Sequence, residues 1–265
     1  MGLNSILILA VILNLFVGIF VWSAQKKSWL HTSFGLMSIL ISIWVFLNYL
    51  FELQPDTFLL KCIFALGPFI VTLSFVWAHY IAEKSASKSF KYNILSLFSI
   101  AILVAIFIFS NGMIKEVITS TNVIFGKTYY LYSIYLGSLL IGLVIYLLLK
   151  FRKSSLEQKR KFLYVLIGIF TFVVAIILFS LVLPNLGYDN LSMLDSPSSI
   201  ILISFTAYAI LSKQLFDIRV VLTQIATGIV ILALLILTIL SGSFNQGIIN
   251  GIILILVSYG GYLLN

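Results

Sequence analysis

The sequence predicts an all-α fold, a polytopic transmembrane helix bundle of about nine spans with the N-terminus out and the C-terminus in. Three observations predict it. Of 265 residues, 62% are hydrophobic and only 9% are charged, whereas a soluble domain carries about 25% charged residues. The apolar residues fall into successive stretches near the roughly 20 residues that a helix needs to cross a bilayer. The cations collect in alternate connections between those stretches. Such a composition cannot cover a water-soluble globule, and it excludes a secreted disulfide scaffold and a disordered tail. The lone Cys62 has no partner in the sequence for an internal disulfide.

Nine stretches are marked, at 3–22, 30–51, 58–82, 92–112, 128–149, 162–183, 197–212, 220–240 and 247–264. The first lacks a leading positive charge, and Lys26 and Lys27 follow it, so it reads as a span and not as a cleaved signal. In the second, Ser42 and Asn48 are polar groups placed to hydrogen-bond between helices, as Asn14 is in the first. The third contains Gly67-Pro68, which predicts a kink. It also contains Lys61, one turn from its outer end and long enough to snorkel to the headgroups. The fifth opens with Tyr129, Tyr130, Tyr132 and Tyr135, an interfacial belt or the wall of an outer pocket. The seventh is the shortest, and its Pro197 suits a first helical turn. Uncut apolar runs such as 225–240 exclude barrel strands, which must alternate. Gly247 and Gly251 open the ninth as a G-x-x-x-G pair.

Charge sets the orientation. With the N-terminus out, inner connections hold Lys26, Lys27, Lys84, Lys88, Lys91, Lys150, Arg152, Lys153, Lys159, Arg160, Lys161, Lys213 and Arg219, which is 13 of the 16 cations. Only Lys61, Lys115 and Lys127 fall outside. Translocating cations is unfavourable, and this bias requires all nine spans in order. The net charge of +8 is thus topological. Nucleic-acid binding would need those cations on one folded surface with aromatics between them.

Catalytic signatures are missing from the sequence. His31 and His79 have no Cys, Asp or Glu at metal-ligand spacing, and neither G-x-S-x-G nor G-x-x-x-x-G-K-[ST] occurs. The expectation is a non-enzyme without cofactor or metal.

Leu215-Phe216-Asp217-Ile218-Arg219 joins the seventh and eighth stretches, with apolar side chains for the acyl boundary and charged ones for headgroups, an interfacial elbow. Together with Ala207-Tyr208-Ala209-Ile210 it resembles the "YAI…LFDIR" ending of the seven-helix N-terminal membrane region of bacterial sensor histidine kinases. Gln158-Lys159-Arg160-Lys161-Phe162-Leu163-Tyr164 with Gly168, and Leu183-Pro184-Asn185-Leu186-Gly187, are similar to its fifth loop, sixth span and outer exit. Phe34, Trp44 and Asn48 are similar to its second span, although His31 stands where the family usually has Asn.

The resemblance implies a sensory module over 1–219, ending in the elbow, then two further helices over 220–265 leading to a cytoplasmic kinase that this chain lacks. It also implies a homodimer in the cytoplasmic membrane, kinase domains in cis as partners, and a stimulus of unknown nature passed on by helix repacking. The chain stops at Leu264-Asn265 straight after a span, which suggests a fragment. The alternative is a small transporter or channel subunit, which would need a water-accessible polar path.

Overall fold

A computed structural model describes residues 3–183, apart from 26, 84, 111 and 121, and residues 194–211. All of these except Leu211 belong to one compact unit. It contains α1 (Leu3–Ala24), α2 (Trp29–Leu53), α3 (Thr57–Ala82), α4 (Lys88–Ile108), β1 (Ile114–Val117), β2 (Val123–Phe125), α5 (Thr128–Lys153), α6 (Leu156–Ile177, continued by a π-helical segment Leu178–Val182) and α7 (Ser199–Leu211). The first six helices are long and apolar enough to cross a membrane. Among the described residues α7 is a shorter apolar helix of thirteen residues, ending at the last of them. Pro197 lies in the turn ahead of α7, not in its first turn as expected. The expected eighth and ninth spans, with Gly247 and Gly251, lie outside the described residues.

The core is built on α2. Its buried residues include Phe34, Gly35, Met37, Ser38, Ile41, Ser42 and Val45, a helical spacing that fills two adjoining faces. One face meets α1 along a polar seam. Ser38 Oγ donates to the Asn14 carbonyl and Ser42 Oγ to the Val11 carbonyl, both at 2.8 Å. Asn14 Nδ2 in turn donates to Ser199 Oγ at 2.9 Å, tying α7 to the pair. Close approach is possible because Gly18 has no side chain: a Cβ there would lie 2.6 Å from Ser38 Cβ. The other face meets α3 at a sulfur, where Met37 Sδ accepts from Trp77 Nε1 at 2.7 Å and Ser74 Oγ at 3.1 Å. Asn14 and Ser42 are therefore interhelical, as expected, whereas Asn48 turns back to the Trp44 carbonyl of its own helix. A residue at that position satisfies itself four residues upstream, without a second helix.

Helix starts follow local chemistry. Asp56 caps α3 by accepting from the amides of Phe58 and Leu59, and Ser87 caps α4 by accepting from Phe90. Ser155 and Gln158 form a reciprocal capping box on α6. That box starts the helix six residues ahead of the expected span at 162.

Two features depart from the expected pattern. The fourth stretch leaves its helix at Ile108, and the chain beyond forms an antiparallel hairpin pairing Ile114 with Phe125, Glu116 with Ile124 and Val117 with Val123. The bundle is therefore all-α except for this one hairpin among the described residues. Lys61 does not snorkel: it is 9% exposed, and its Nζ donates to the Phe109 carbonyl at 3.2 Å. A carbonyl left open at the end of α4 gives the ammonium a nearer partner than the headgroups.

Candidate functional site

The kink signal in α3 becomes a sealed notch. Pro68 has no N–H, so the carbonyl four residues upstream, on Phe64, loses its helical donor. That carbonyl accepts instead from Tyr132 Oη of α5 at 2.8 Å. Gly67 makes room, since a Cβ there would stand 2.8 Å from the same hydroxyl. Gly67, Pro68 and Tyr132 thus act as one unit. Leaving such a carbonyl unpaired in an apolar interior costs about 1–3 kcal/mol.

Over the notch lies an aromatic cap. Phe64 meets Tyr132, Tyr129 and Phe125 edge-on, with centroids 5.4, 5.9 and 6.1 Å away. Tyr129 stacks on Phe125 at 4.0 Å. Edge and offset contacts of this kind each contribute about 0.5–1.5 kcal/mol beyond area burial. Phe51, Leu60, Ile63, Ile108, Met113, Ile114 and Tyr132 form the buried cluster beneath. The hairpin therefore belongs to the site, delivering Phe125, Met113 and Ile114. It could have been found from the sequence, because Thr119-Ser120-Thr121-Asn122 separates two β-branched runs.

The four tyrosines singled out by the sequence part ways. Tyr132 is buried in the notch and Tyr129 is half-buried in the cap. Tyr130 is 70% exposed on the outer surface of the bundle. Tyr135 is half-buried, and its hydroxyl has no hydrogen-bond partner among the described residues. The structure brings Tyr129 and Tyr132 together around Phe64, not all four.

The same helix pair carries a second constellation at the opposite, basic end, where α5 finishes in Lys150, Arg152 and Lys153. His79 is buried, with Nδ1 2.9 Å from Tyr146 Oη and Nε2 3.4 Å from the Ser85 carbonyl. Its ring stacks on Phe90 of α4 at 3.6 Å. Glu83, which follows α3, places a carboxylate oxygen 3.5 Å from His79 Nε2 and ion-pairs with Lys150. The hydrogen bond from Lys150 holds the Glu83 carboxyl below its ordinary range. Sequence reasoning placed His79 at this end but missed these partners, which come from three elements. His31 is buried in the first turn of α2, with neither ring nitrogen hydrogen-bonded among the described residues.

No group of three or more His, Cys, Asp or Glu among the described residues could hold a metal ion. The elbow residues Leu215, Phe216, Asp217, Ile218 and Arg219 lie outside the described residues.

Six apolar helices, with α3 packed against α2, α4, α5 and α6 and lipid-type side chains such as Ile134 and Phe170 turned outward, define a multi-span membrane protein. The chain belongs to the family described as the N-terminal 7TM region of histidine kinase, whose model matches residues 6–219. That region is a non-catalytic input domain. No curated protein and no solved structure matches the chain.

Proposed function

We propose that this chain is the sensory input and anchoring region of a two-component sensor histidine kinase in the cell membrane. The family match carries the reading, because it runs to Arg219, the last residue of the elbow. In this reading the N-terminus faces out. Residues 1–219 form the sensory module, and 220–265 supply two further spans that lead to a cytoplasmic kinase in cis. The transporter alternative gains no support from the match.

The proposed mechanism is a shift in helix packing between two arrangements. The cap of Phe64, Phe125 and Tyr129 would lie at the outer face, with Tyr130 and Tyr135 flanking it on α5. A stimulus that disturbs the cap would pull Tyr132 from the Phe64 carbonyl and free α3 to bend at Pro68. The elbow 215–219 would pass the change to a kinase homodimer. The part assigned to the cap rests on its position over the notch, and the part assigned to the elbow rests on its motif.

A C-terminal tag probed in intact and permeabilised cells tests the topology on which this depends. The tag should be reached only after permeabilisation. Labelling from the medium of intact cells would refute the reading.

A further inference from the structure

The His79 constellation is not used by the notch, yet it joins the same two helices. The groups that face His79 come from every element around it. From α3 come Tyr80, edge-on at 5.4 Å, and Glu83 just beyond the helix; from the following connection comes the Ser85 carbonyl. From α4 comes the uncharged face of Phe90, and from α5 come Tyr146 and, through Glu83, Lys150.

The hydrogen-bond roles are fixed by chemistry. A carbonyl and a carboxylate can only accept, so Nε2 of the neutral ring carries the proton toward Ser85 and Glu83. Nδ1 is then the acceptor, and Tyr146 donates to it. At this end two links therefore hold α5 to α3 and the residue just beyond it, Tyr146 to His79 and Lys150 to Glu83.

We propose that His79 is a proton-binding input site whose protonation releases the basic end of α5 from α3. An added proton at Nδ1 abolishes the acceptor, so the Tyr146 hydroxyl must turn away or reverse its bond. The new imidazolium also attracts the Glu83 carboxylate, whose Oε2 lies 3.5 Å from Nε2, toward its own helix, while Oε1 is the oxygen that Lys150 holds. The two attractions are unequal in their consequences. Glu83 lies four residues beyond His79 on the same segment, so a Glu83–His79 pair holds α3 to itself while the Glu83–Lys150 pair held two helices together. Imidazole is the side chain whose charge is most readily changed by mild acid. The inference rests on the α3–α5 geometry and needs no attached kinase, so a flat pH response would leave the sensory reading standing and a failed kinase assay would leave this one standing.

The test uses the whole chain in lipid nanodiscs, with Cys62→Ser and nitroxides at Ser85→Cys and Arg152→Cys, measured by pulsed electron resonance between pH 8 and 5.5. Histidine side-chain NMR in His31→Gln reports the protonation of His79 alone. The distance should lengthen by at least about 2 Å, a helix-shift amplitude, with the same midpoint as the NMR titration. His79→Gln should abolish the change. Glu83→Gln, at a partly exposed position, carries the same test should His79→Gln not fold: His79 would still titrate, but with no carboxylate to change partners the lengthening should fall to less than half of that in the unaltered chain. Titration of His79 with no distance change, a change that persists in His79→Gln, or one of undiminished size in Glu83→Gln would overturn the proposal.

Discussion

The two ends of the α3–α5 pair are held by the same residue type in different chemical settings. At the hairpin end Tyr132 donates to a backbone carbonyl that Pro68 has orphaned, under a lid of aromatic rings. At the basic end Tyr146 bonds to an imidazole beside an ion pair. The two tyrosines are 14 residues apart, four helical turns and about 21 Å along α5. The first junction is built from aromatic rings and a backbone carbonyl, whereas the second joins an imidazole to an ion pair. In the proposed reading one helix pair would be addressed at its two ends by two kinds of signal, shape at one and charge at the other.

The contrast can be broken most forcefully at Gly67. Gly67→Leu drives a side chain into the Tyr132 hydroxyl and should destabilise the protein by about 1–3 kcal/mol, read by thermal or denaturant unfolding in detergent. The basic end should keep its Tyr146–His79 contact.

Tyr132→Phe should lose about 1–3 kcal/mol, because a buried carbonyl is left unpaired. The decisive comparison is with Pro68→Ala, which restores an amide donor to Phe64. In that background Tyr132→Phe should cost less than half as much. Equal costs in both backgrounds would separate the tyrosine from the proline.

Acid should act on the other end alone. Glu83 is held below its ordinary value of 4.5 when folded, so its contribution is complete above that value and is lost as pH falls through the depressed one. Its carboxylate is 41% exposed, so the loss is small, a few tenths of a kcal/mol after solvent screening. A melting curve of Glu83→Gln should show a shallower decline below pH 4.5 than the unaltered chain. The polar seam of α1 and α2, on a different helix pair, gives a comparably small effect. Ser38→Ala should cost about 0.6 kcal/mol, the average for hydrogen bonds between membrane helices, and leave both junctions unchanged.

The fold was legible wherever composition decides it. Hydropathy marked the first six spans because lipid imposes one length and one solution to backbone pairing. Asn14 and Ser42 were readable as interhelical for the same reason, since polar groups in an apolar span must find partners. Three things were hidden. The hairpin lies in the connection between the fourth and fifth stretches, and its strands of four and three residues are too short for an alternating pattern to stand out. The role of Gly67-Pro68 needed the position of Tyr132, 64 residues away, which no local pattern carries. His79 looked isolated because Tyr146, Glu83, Ser85 and Phe90 reach it from three different elements. His79 and Glu83 stand four apart, on one helical face, but were not paired from the sequence.

The central claim is that the notch in α3 sets the state of a downstream kinase. It is tested most directly by joining the chain, at Asn265, to the dimerisation and ATP-binding domains of a sensor kinase and measuring autophosphorylation in membrane vesicles. Tyr132→Phe should change the rate by roughly five-fold or more, within the range expected for a coupling of 1–3 kcal/mol, and adding Pro68→Ala should return it toward the starting value. A rate unchanged by Tyr132→Phe, in protein whose unfolding shows the predicted loss, would contradict the account.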